Sequence, residues 1–365
     1  MSEIPWWAPL IGDVERDLVI EVLESNFVND GQATTDFEGR VAELLGCRHA
    51  VAVTSGTCAL FVALAAIDIG HGDEVIVPDA TFIATVNAVS MTGAKPVLTD
   101  IDPLSLTLSP EAFRDNITSR TKAVIPVHVS GRAADMTAIN AIADEHGLAV
   151  VEDAAEAFMS KNGGRYLGTI GRLGCLSFSP LKIVTTGQGG MVITDDDALH
   201  QRLRELKDQG RPARSTGVDM TIPSVGYNFK LTNLQAALGI GQLESLEWRM
   251  ETLTRHYRGY AEGLEEIEGI RLPGFRVEDG ELPLWTDVLA ERRDDLETYL
   301  WSIGIDCRKF WNPIHTQPCY RSDDGKFPNT ISAMSRALWL PSAFSLTNDD
   351  IGAVCQAIRD FYNGA

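Results

Sequence analysis

The feature that most constrains the fold is the alternation of short apolar runs with helical patterns over the first 245 residues. The runs are rich in β-branched side chains and are bounded by turn residues, as buried strands are. Strands that alternate with helices predict a largely parallel sheet between two layers of helices. The predicted strands are Ala50–Val53, Glu74–Val77, Pro96–Thr99, Ala123–Val127, Leu148–Val151, Leu176–Ser179 and Met191–Thr194.

Apolar residues at helical spacing predict the covering helices. These are residues 12–25, 36–45, 57–67, 83–91, 110–116 and 136–146. From Thr232, which can cap it, a helix of about 30 residues is predicted to cross into a second domain. Beyond it the patterns predict a strand at residues 282–289, a helix at 293–303, a turn and strand at 304–308 and a closing helix at 348–361. We therefore predict a large α/β domain, residues 1–245, and a small C-terminal α+β domain, residues 246–365.

Charge and cysteine usage exclude several classes of function. A formal charge of −20 argues against nucleic-acid binding, which needs a basic face. The longest apolar stretch, residues 58–69, is too short to span a bilayer, and residues 1–7 lack the basic and apolar regions of a secretory signal. The six cysteines are scattered without a CxxC pair, which is typical of reduced thiols and not of a metal site. We expect a cytoplasmic protein without metal, membrane or nucleic-acid partners.

The residues with the clearest chemical meaning lie between Leu148 and Asp195. Asp153 ends a predicted strand, where the catalytic groups of open α/β sheets gather, and Lys182 lies in a loop between two further strands. An aspartate facing a lysine across a small pocket indicates pyridoxal phosphate chemistry. The amine forms a Schiff base with the cofactor aldehyde, and the acid pairs with the pyridine nitrogen. Taken singly, Asp153 is equally consistent with a loop cap and Lys182 with a solvated cation.

Further positions can complete such a site. Ser55, Gly56 and Thr57 open a helix after the first core strand, and free amides beside hydroxyls form a phosphate site, although a simple helix cap needs the same residues. Ser177 can add its hydroxyl to the same phosphate. Phe82 can stack on a flat heterocycle, or it can belong to the core.

The residues alone do not decide the roles of two histidines and one polar loop. His128 ends a predicted strand, where it is either packed or turned toward the pocket. His315 lies on a loop of aromatic and polar residues, with a binding role and a structural role equally open. Asn228 and Lys230 precede the long predicted helix in a loop that in isolation is typical of a helix cap.

Together these stretches resemble the DegT/DnrJ/EryC1/StrS family of sugar aminotransferases, which are pyridoxal-phosphate enzymes of fold type I. The resemblance covers nearly the whole chain in order. Its motifs are residues 55–60, 72–78, 81–85, 93–97, 121–128, 152–157, 177–182, 226–237 and 313–315. The fold that it implies is a mixed, mostly parallel sheet with helices on both faces, followed by the small domain.

The resemblance also implies roles for individual residues. Lys182 would carry the cofactor and then move the proton during transfer, and Asp153 would hold the pyridine nitrogen. Phe82 would cover the ring, while Glu156 would face the ring or its phenolic oxygen. The implied phosphate ligands are Ser55, Gly56, Thr57 and Ser177, with Asn228 reaching the cofactor phosphate of a neighbouring subunit in a homodimer. The candidate substrate contacts are Thr85, Lys230 and His315.

Glu156 also bears on the substrate, because the family usually has Gln or His at this position. A glutamate there resembles the perosamine synthases of the family, which aminate carbon 4 of a GDP-linked 4-keto-6-deoxymannose with glutamate as donor. An aminotransferase for another UDP- or dTDP-linked keto-sugar or a cyclitol is the main alternative. A sugar dehydratase would carry His in place of Lys182, and a non-catalytic regulator would not need both Lys182 and Asp153. Two departures stand out: Gln188 replaces the usual Glu, and the region 279–287 is shorter than usual.

Overall fold

A mixed sheet forms the centre of the computed structural model, which describes residues 4–212 and 221–364. The strands of this part of the chain are β1 (His49–Val53), β2 (Glu74–Pro78), β3 (Lys95–Thr99), β4 (Thr121–Val124), β5 (Ala149–Asp153), β6 (Lys161–Asn162), β7 (Arg165–Tyr166), β8 (Leu173–Ser177) and β9 (Gly190–Thr194). Among the described residues, seven of them form the sheet in the order β1-β9-β8-β5-β4-β2-β3, while β6 and β7 form a separate hairpin. The strands from β8 to β3 are parallel, and β9 is antiparallel to both of its neighbours. The predicted mixed, mostly parallel sheet is confirmed.

Helices cover both faces of the sheet. Strands β2 and β9 need this cover, since their residues are buried along the whole length of each strand. The helices of this part are α1 (Asp13–Glu24), α2 (Gln32–Leu45), α3 (Gly56–Ala66), α4 (Ile83–Met91), α5 (Pro110–Asp115), α6 (Met136–His146) and α7 (Asp197–Lys207). Helix α3 packs against both β8 and β9 and is apolar on almost every side, as a fully covered helix must be. Helix α7, which the sequence analysis did not predict, buries Leu199, Leu203 and Leu206.

The predicted long helix is wrong in one respect: two helices replace it, α8 (Asn233–Glu244) and α9 (Leu246–Leu264). Thr232 does cap α8, since its hydroxyl accepts from the Gln235 backbone N–H and the Gln235 side chain reciprocates. Ser245 breaks the helix, and its hydroxyl accepts a 2.8 Å hydrogen bond from Nε of Arg249. Arg249 is thereby turned into the interior, where it donates to backbone carbonyls. Apolar periodicity continues across this break, which is why the sequence pattern does not reveal it.

A second, antiparallel sheet follows. Its strands in the described chain, in the order β10-β11-β13-β12, are β10 (Ile270–Arg271), β11 (Asp287–Ala290), β12 (Arg308–Lys309) and β13 (Ala337–Trp339). The remaining helices are α10 (Arg293–Ser302), α11 (Pro328–Met334) and α12 (Asn348–Asn363). Short 3₁₀ turns occupy Val129–Gly131, Val277–Asp279, Ile314–Thr316, Pro318–Tyr320 and Asp324–Lys326.

The strand predicted for residues 282–289 begins only at Asp287. Before it, Leu282 and Leu284 give their backbone N–H groups to Ser160 and Ser130 of the large sheet's loops. The chain near Ile4 also joins the small sheet region by bridging to Ile305. The domain division at residue 245 stays a prediction. Within the described ranges, no helix combines the length and the apolar character that crossing a bilayer requires.

Candidate active site

Asp153 lies at the carboxyl end of β5, in the middle of the large sheet. Its side chain is buried, and Oδ2 accepts a 2.7 Å hydrogen bond from the hydroxyl of Thr85. Oδ1 accepts from the Ala155 backbone N–H at 3.2 Å. Burial raises the pKa of Asp153, and the Thr85 hydroxyl opposes that rise. The carboxylate is therefore held in one orientation at the edge of a cavity.

Lys182 lies in the loop between β8 and β9, and its amine contacts two side chains. Nζ is 3.4 Å from Oε1 of Glu156 and 4.7 Å from the ring centroid of Trp285. The other carboxylate oxygen of Glu156 accepts from the Ser130 backbone N–H at 3.0 Å. Burial raises the pKa of Glu156, while the positive charge of Lys182 lowers it. The amine thus sits between a buried carboxylate and an aromatic face.

A third group of the cavity is the N-terminus of α3. Ser55 caps this helix by accepting from the Cys58 backbone N–H at 3.1 Å, and Gly56 lies next to Ser177. A Cβ at Gly190 would lie 2.2 Å from the Ser55 carbonyl oxygen, so a glycine is required where β9 passes this loop. The close approach fixes backbone amides and hydroxyls at a helix N-terminus, which is a suitable arrangement for a phosphate.

Most of the predicted site residues line one cavity of about 380 Å³. They are Ser55, Gly56, Thr57, Phe82, Thr85, Asp153, Glu156, Ser177 and Lys182. Thr85, proposed from the sequence as a substrate contact, instead directs its hydroxyl to Asp153. Gln188 also lines the cavity, and its backbone carbonyl, not its side chain, secures the turn by accepting from Thr186 and Gln235.

Other predicted residues lie outside this lining. Asn228 is exposed and accepts from Nζ of Lys230, which also pairs with Asp208. His315 is fully buried, with Nδ1 2.6 Å from Oδ2 of Asp79. Within a single chain, neither Lys230 nor His315 is therefore placed as a substrate contact. The role of Asn228 toward a neighbouring subunit stays a prediction. The alternative that His128 faces the pocket is wrong, because this histidine is buried against Glu152.

An aromatic wall, which the sequence patterns did not predict, lies on the side of the cavity formed by the small sheet. Trp6, Trp285 and Trp339 pack together with ring centroids 5.0–5.8 Å apart, and Trp311 adjoins them. These residues come from opposite ends of the chain, so no local spacing connects them. The only sequence signal is the unusual frequency of tryptophan, seven in the chain.

Arg308 was missed as well. Its guanidinium lies 4.5 Å above the ring of Trp6. Three cationic side chains line the cavity, and two are already paired: Lys182 with Glu156, and Lys309 with two acids of α10. Among the described residues, Arg308 contacts the ring of Trp6 and forms no ion pair with a carboxylate. An unpaired cation in so acidic a chain marks a position for an anionic ligand group.

These observations fit pyridoxal phosphate. A buried carboxylate suits the pyridine nitrogen, a lysine amine suits the aldehyde, and the α3 N-terminus suits the phosphate. The Gly56–Ser177 contact leaves no room for a Cβ without displacing the serine, since that Cβ would lie 3.0 Å from the Ser177 Cβ. The fold and the site together define a pyridoxal-phosphate-dependent enzyme with a mixed α/β sheet.

Comparison with known proteins narrows this class. The model of the DegT/DnrJ/EryC1/StrS aminotransferase family matches residues 9–359, and the chain belongs to this family. It is 37% identical to the spore coat polysaccharide biosynthesis protein SpsC of Bacillus subtilis, over 99% of this chain and 98% of that protein. It is 36% identical to the GDP-perosamine synthase of Escherichia coli O157:H7, over the full length of both.

A solved structure gives the same result. The DegT/DnrJ/EryC1/StrS aminotransferase from Brucella abortus superposes with a TM-score of 0.91 at 32% identity, covering 97% of this chain and 96% of that one. The predicted family, fold type, cofactor and transaminase class are confirmed: the protein is a pyridoxal-phosphate-dependent aminotransferase.

Proposed function

We propose that this aminotransferase moves an amino group from glutamate to a keto-sugar nucleotide, with GDP-4-keto-6-deoxymannose as acceptor and GDP-perosamine as product. The observation that carries the proposal is the cavity itself, in which Lys182 and Asp153 face an aromatic wall and the unpaired Arg308. A sugar nucleotide offers a diphosphate for a guanidinium and flat rings for indoles. The relatives named GDP-perosamine synthase and the glutamate at position 156 support the choice of sugar.

Each residue would have a defined task in this reaction. Bound pyridoxal phosphate supplies an aldehyde for amine capture and a ring that accepts electrons. Asp153, fixed by Thr85 and Ala155, would pair with the ring nitrogen and favour its protonated form. Lys182 would take a proton from the substrate carbon at Nζ and later give it back, which requires its amine to be neutral when it acts. The same residues would serve both half-reactions, first with the amino acid and then with the keto-sugar.

We further propose that the protein works as a homodimer in the cytoplasm, in the synthesis of a surface polysaccharide such as O-antigen. In the single chain, apolar side chains of α1 and the segment after it are 42–57% exposed, which is costly unless another surface covers them. They are Val14, Ile20, Leu23, Phe27 and Val28. Asn228 is exposed and available to a partner's site. All six cysteines lie in the described ranges as free thiols, as is usual in a reducing compartment.

The test is an assay of the purified holoenzyme with glutamate and a panel of GDP-, UDP- and dTDP-linked 4-keto-sugars. We expect amination of the GDP sugar, detected by mass, and conversion of glutamate to 2-oxoglutarate. The Arg308→Gln variant should raise KM for the sugar nucleotide more than KM for glutamate, while Arg292→Gln, at an exposed arginine outside the cavity, should change neither. Preference for a UDP or dTDP sugar would refute the substrate, and no transfer to any keto-sugar would refute the proposal.

A further inference from the structure

We propose that Ser130 and Trp339 are positioning residues for the catalytic lysine. They hold the Glu156 carboxylate against Lys182 so that this carboxylate, and not water, is the proton partner of the amine. The inference rests on the proposed role of Lys182 and assigns a function to two residues outside the predicted site.

Three contacts connect these side chains. Nε1 of Trp339 donates to Oγ of Ser130 at 3.0 Å, and the Ser130 backbone N–H donates to Oε2 of Glu156 at 3.0 Å. Oε1 of Glu156 then lies 3.4 Å from Nζ of Lys182. Ser130, Trp339 and Glu156 are all more than nine-tenths buried. Because water has little access, each polar atom depends on its protein partner, and the loss of one contact is not replaced.

The backbone at Ser130 is specialised for this contact. Its φ of 55° lies in the left-handed region, which is strained for a residue other than glycine. Such a conformation persists only where the surroundings enforce it. Here the Ser130 carbonyl accepts from Leu284 at 2.8 Å, and a Cβ on Gly131 would lie 1.9 Å from the Leu282 carbonyl oxygen. The turn therefore directs the Ser130 N–H toward Glu156.

Residues of the small sheet region influence the Lys182 amine through two chains of contacts. Trp339 is the last residue of β13, and it leads through Ser130 to Glu156. It also packs at 5.0 Å against Trp285, whose ring faces Nζ of Lys182. The lysine belongs to the large sheet, so its surroundings depend on how the small sheet is docked.

The proton step that this geometry allows is simple. An N–H bond of the Lys182 ammonium breaks, an O–H bond forms at Oε1 of Glu156, and the electron pair stays on nitrogen. Burial raises the pKa of Glu156 and so favours the protonated carboxyl that the transfer produces. Asp153 is a further charged neighbour of both Lys182 and Glu156, and His128 is in turn a neighbour of Asp153. The charges near Ser130 are those of the Arg132–Asp287 ion pair, and the remaining cavity cations are Arg308 and Lys309.

The experiment measures the lysine directly, in the full-length protein freed of cofactor. Acetic anhydride is applied across the neutral-to-alkaline range, and the acetylated fraction of the Lys182 peptide is measured by mass spectrometry. In Glu156→Gln we expect the midpoint of this profile to fall by about 1–3 pH units, because an opposite charge next to the amine is lost. Trp339→Phe should shift it less, in the same direction. The double variant should match Glu156→Gln, because Trp339→Phe keeps an aromatic ring beside Trp285 and removes only the indole N–H that acts through Ser130 and Glu156.

The matched control is Trp301→Phe, which removes an indole hydrogen bond to the Cys307 carbonyl on a half-exposed helix and should leave the profile unchanged. Ser130→Gly keeps the left-handed backbone accessible, removes the hydroxyl and should reproduce Trp339→Phe if that variant does not fold. A profile of Trp339→Phe or Ser130→Gly identical to wild type would overturn the proposal. So would a further shift on adding Trp339→Phe to Glu156→Gln. The labelling uses no substrate, so an error in the proposed sugar would not affect it.

Discussion

Replacing Thr85 with Val tests how the cofactor is held. Valine has nearly the shape of threonine, but it lacks the hydroxyl that donates to Asp153 Oδ2 at 2.7 Å. Thr85 is buried, and its hydroxyl is also 2.8 Å from that of Thr81. A hydrogen bond to a charged group contributes about 1.5–3 kcal/mol. Its loss disfavours the ionised form of Asp153 and hence the charge that holds the ring nitrogen.

The expected result is retention of pyridoxal phosphate weakened by about 10- to 150-fold, which is the same free energy written as a ratio of dissociation constants. Titration of the cofactor-free protein, followed by visible absorbance, gives that ratio. Urea unfolding of the cofactor-free variant checks that the fold is intact. KM for the sugar nucleotide, measured with saturating cofactor, should stay near the wild-type value.

Thr85→Ser is the matched control, because it keeps the hydroxyl and should retain the cofactor nearly as wild type does. The reasoning would be refuted if Thr85→Val bound the cofactor normally while KM for the sugar nucleotide rose. That outcome would restore Thr85 as a substrate contact, the role that the family resemblance suggested.

Three further predictions concern the cavity and the strand β9 beside it. Gly190→Ala should lower the free energy of unfolding in urea by about 1–3 kcal/mol, because the added Cβ would overpack against the Ser55 carbonyl. The control, Gly352→Ala on an open face of α12, should raise it by roughly 0.5–1 kcal/mol. Equal effects of the two substitutions would contradict the predicted clash. Burial raises the pKa of Asp153 in the folded, cofactor-free protein. The protonated Asp153 side chain therefore stabilises the fold in acid, and this contribution is lost as the pH rises through the pKa of the folded state. Asp153→Asn should accordingly be more stable than wild type at neutral pH and lose this advantage in acid, as urea unfolding at the two pH values will show; an advantage independent of pH would exclude titration as its cause. Lys182→Ala should lose both visible cofactor absorbance and turnover, and persisting transamination would contradict its role.

Local patterns were sufficient for the sheet and for the residues at its strand ends. β5 starts as an apolar run and ends in two acids, and acids at the end of such a strand lie at the sheet's carboxyl edge, which locates Asp153. Lys182 follows in the same way from the two strands that flank its loop. Glycines and hydroxyls at the start of α3 predict a phosphate site, although a simple helix cap needs the same residues.

Contacts between distant residues were not predictable from local patterns. The hydroxyl of Thr85 and the carboxylate of Asp153 are 68 positions apart, and Trp339 and Ser130 are 209 apart. Nothing in the local sequence around either partner indicates the other. The break at Ser245 is invisible for a different reason, because one non-helical residue hardly disturbs a periodic pattern. Sequence patterns therefore located the candidate catalytic residues, whereas the aromatic wall that faces them became evident only from the folded structure.

The position of the aromatic wall in the sequence affects the order in which the two sides of the pocket form during synthesis. Trp6 leaves the ribosome well before Trp285 and Trp339, the two residues against which it packs. A nascent chain can complete the large sheet, with Asp153 and Lys182 in place, long before the opposite side of the cleft exists. Until Trp339 has been synthesised, Trp6 lacks its aromatic neighbours, so this side of the pocket forms after the side that carries Asp153 and Lys182.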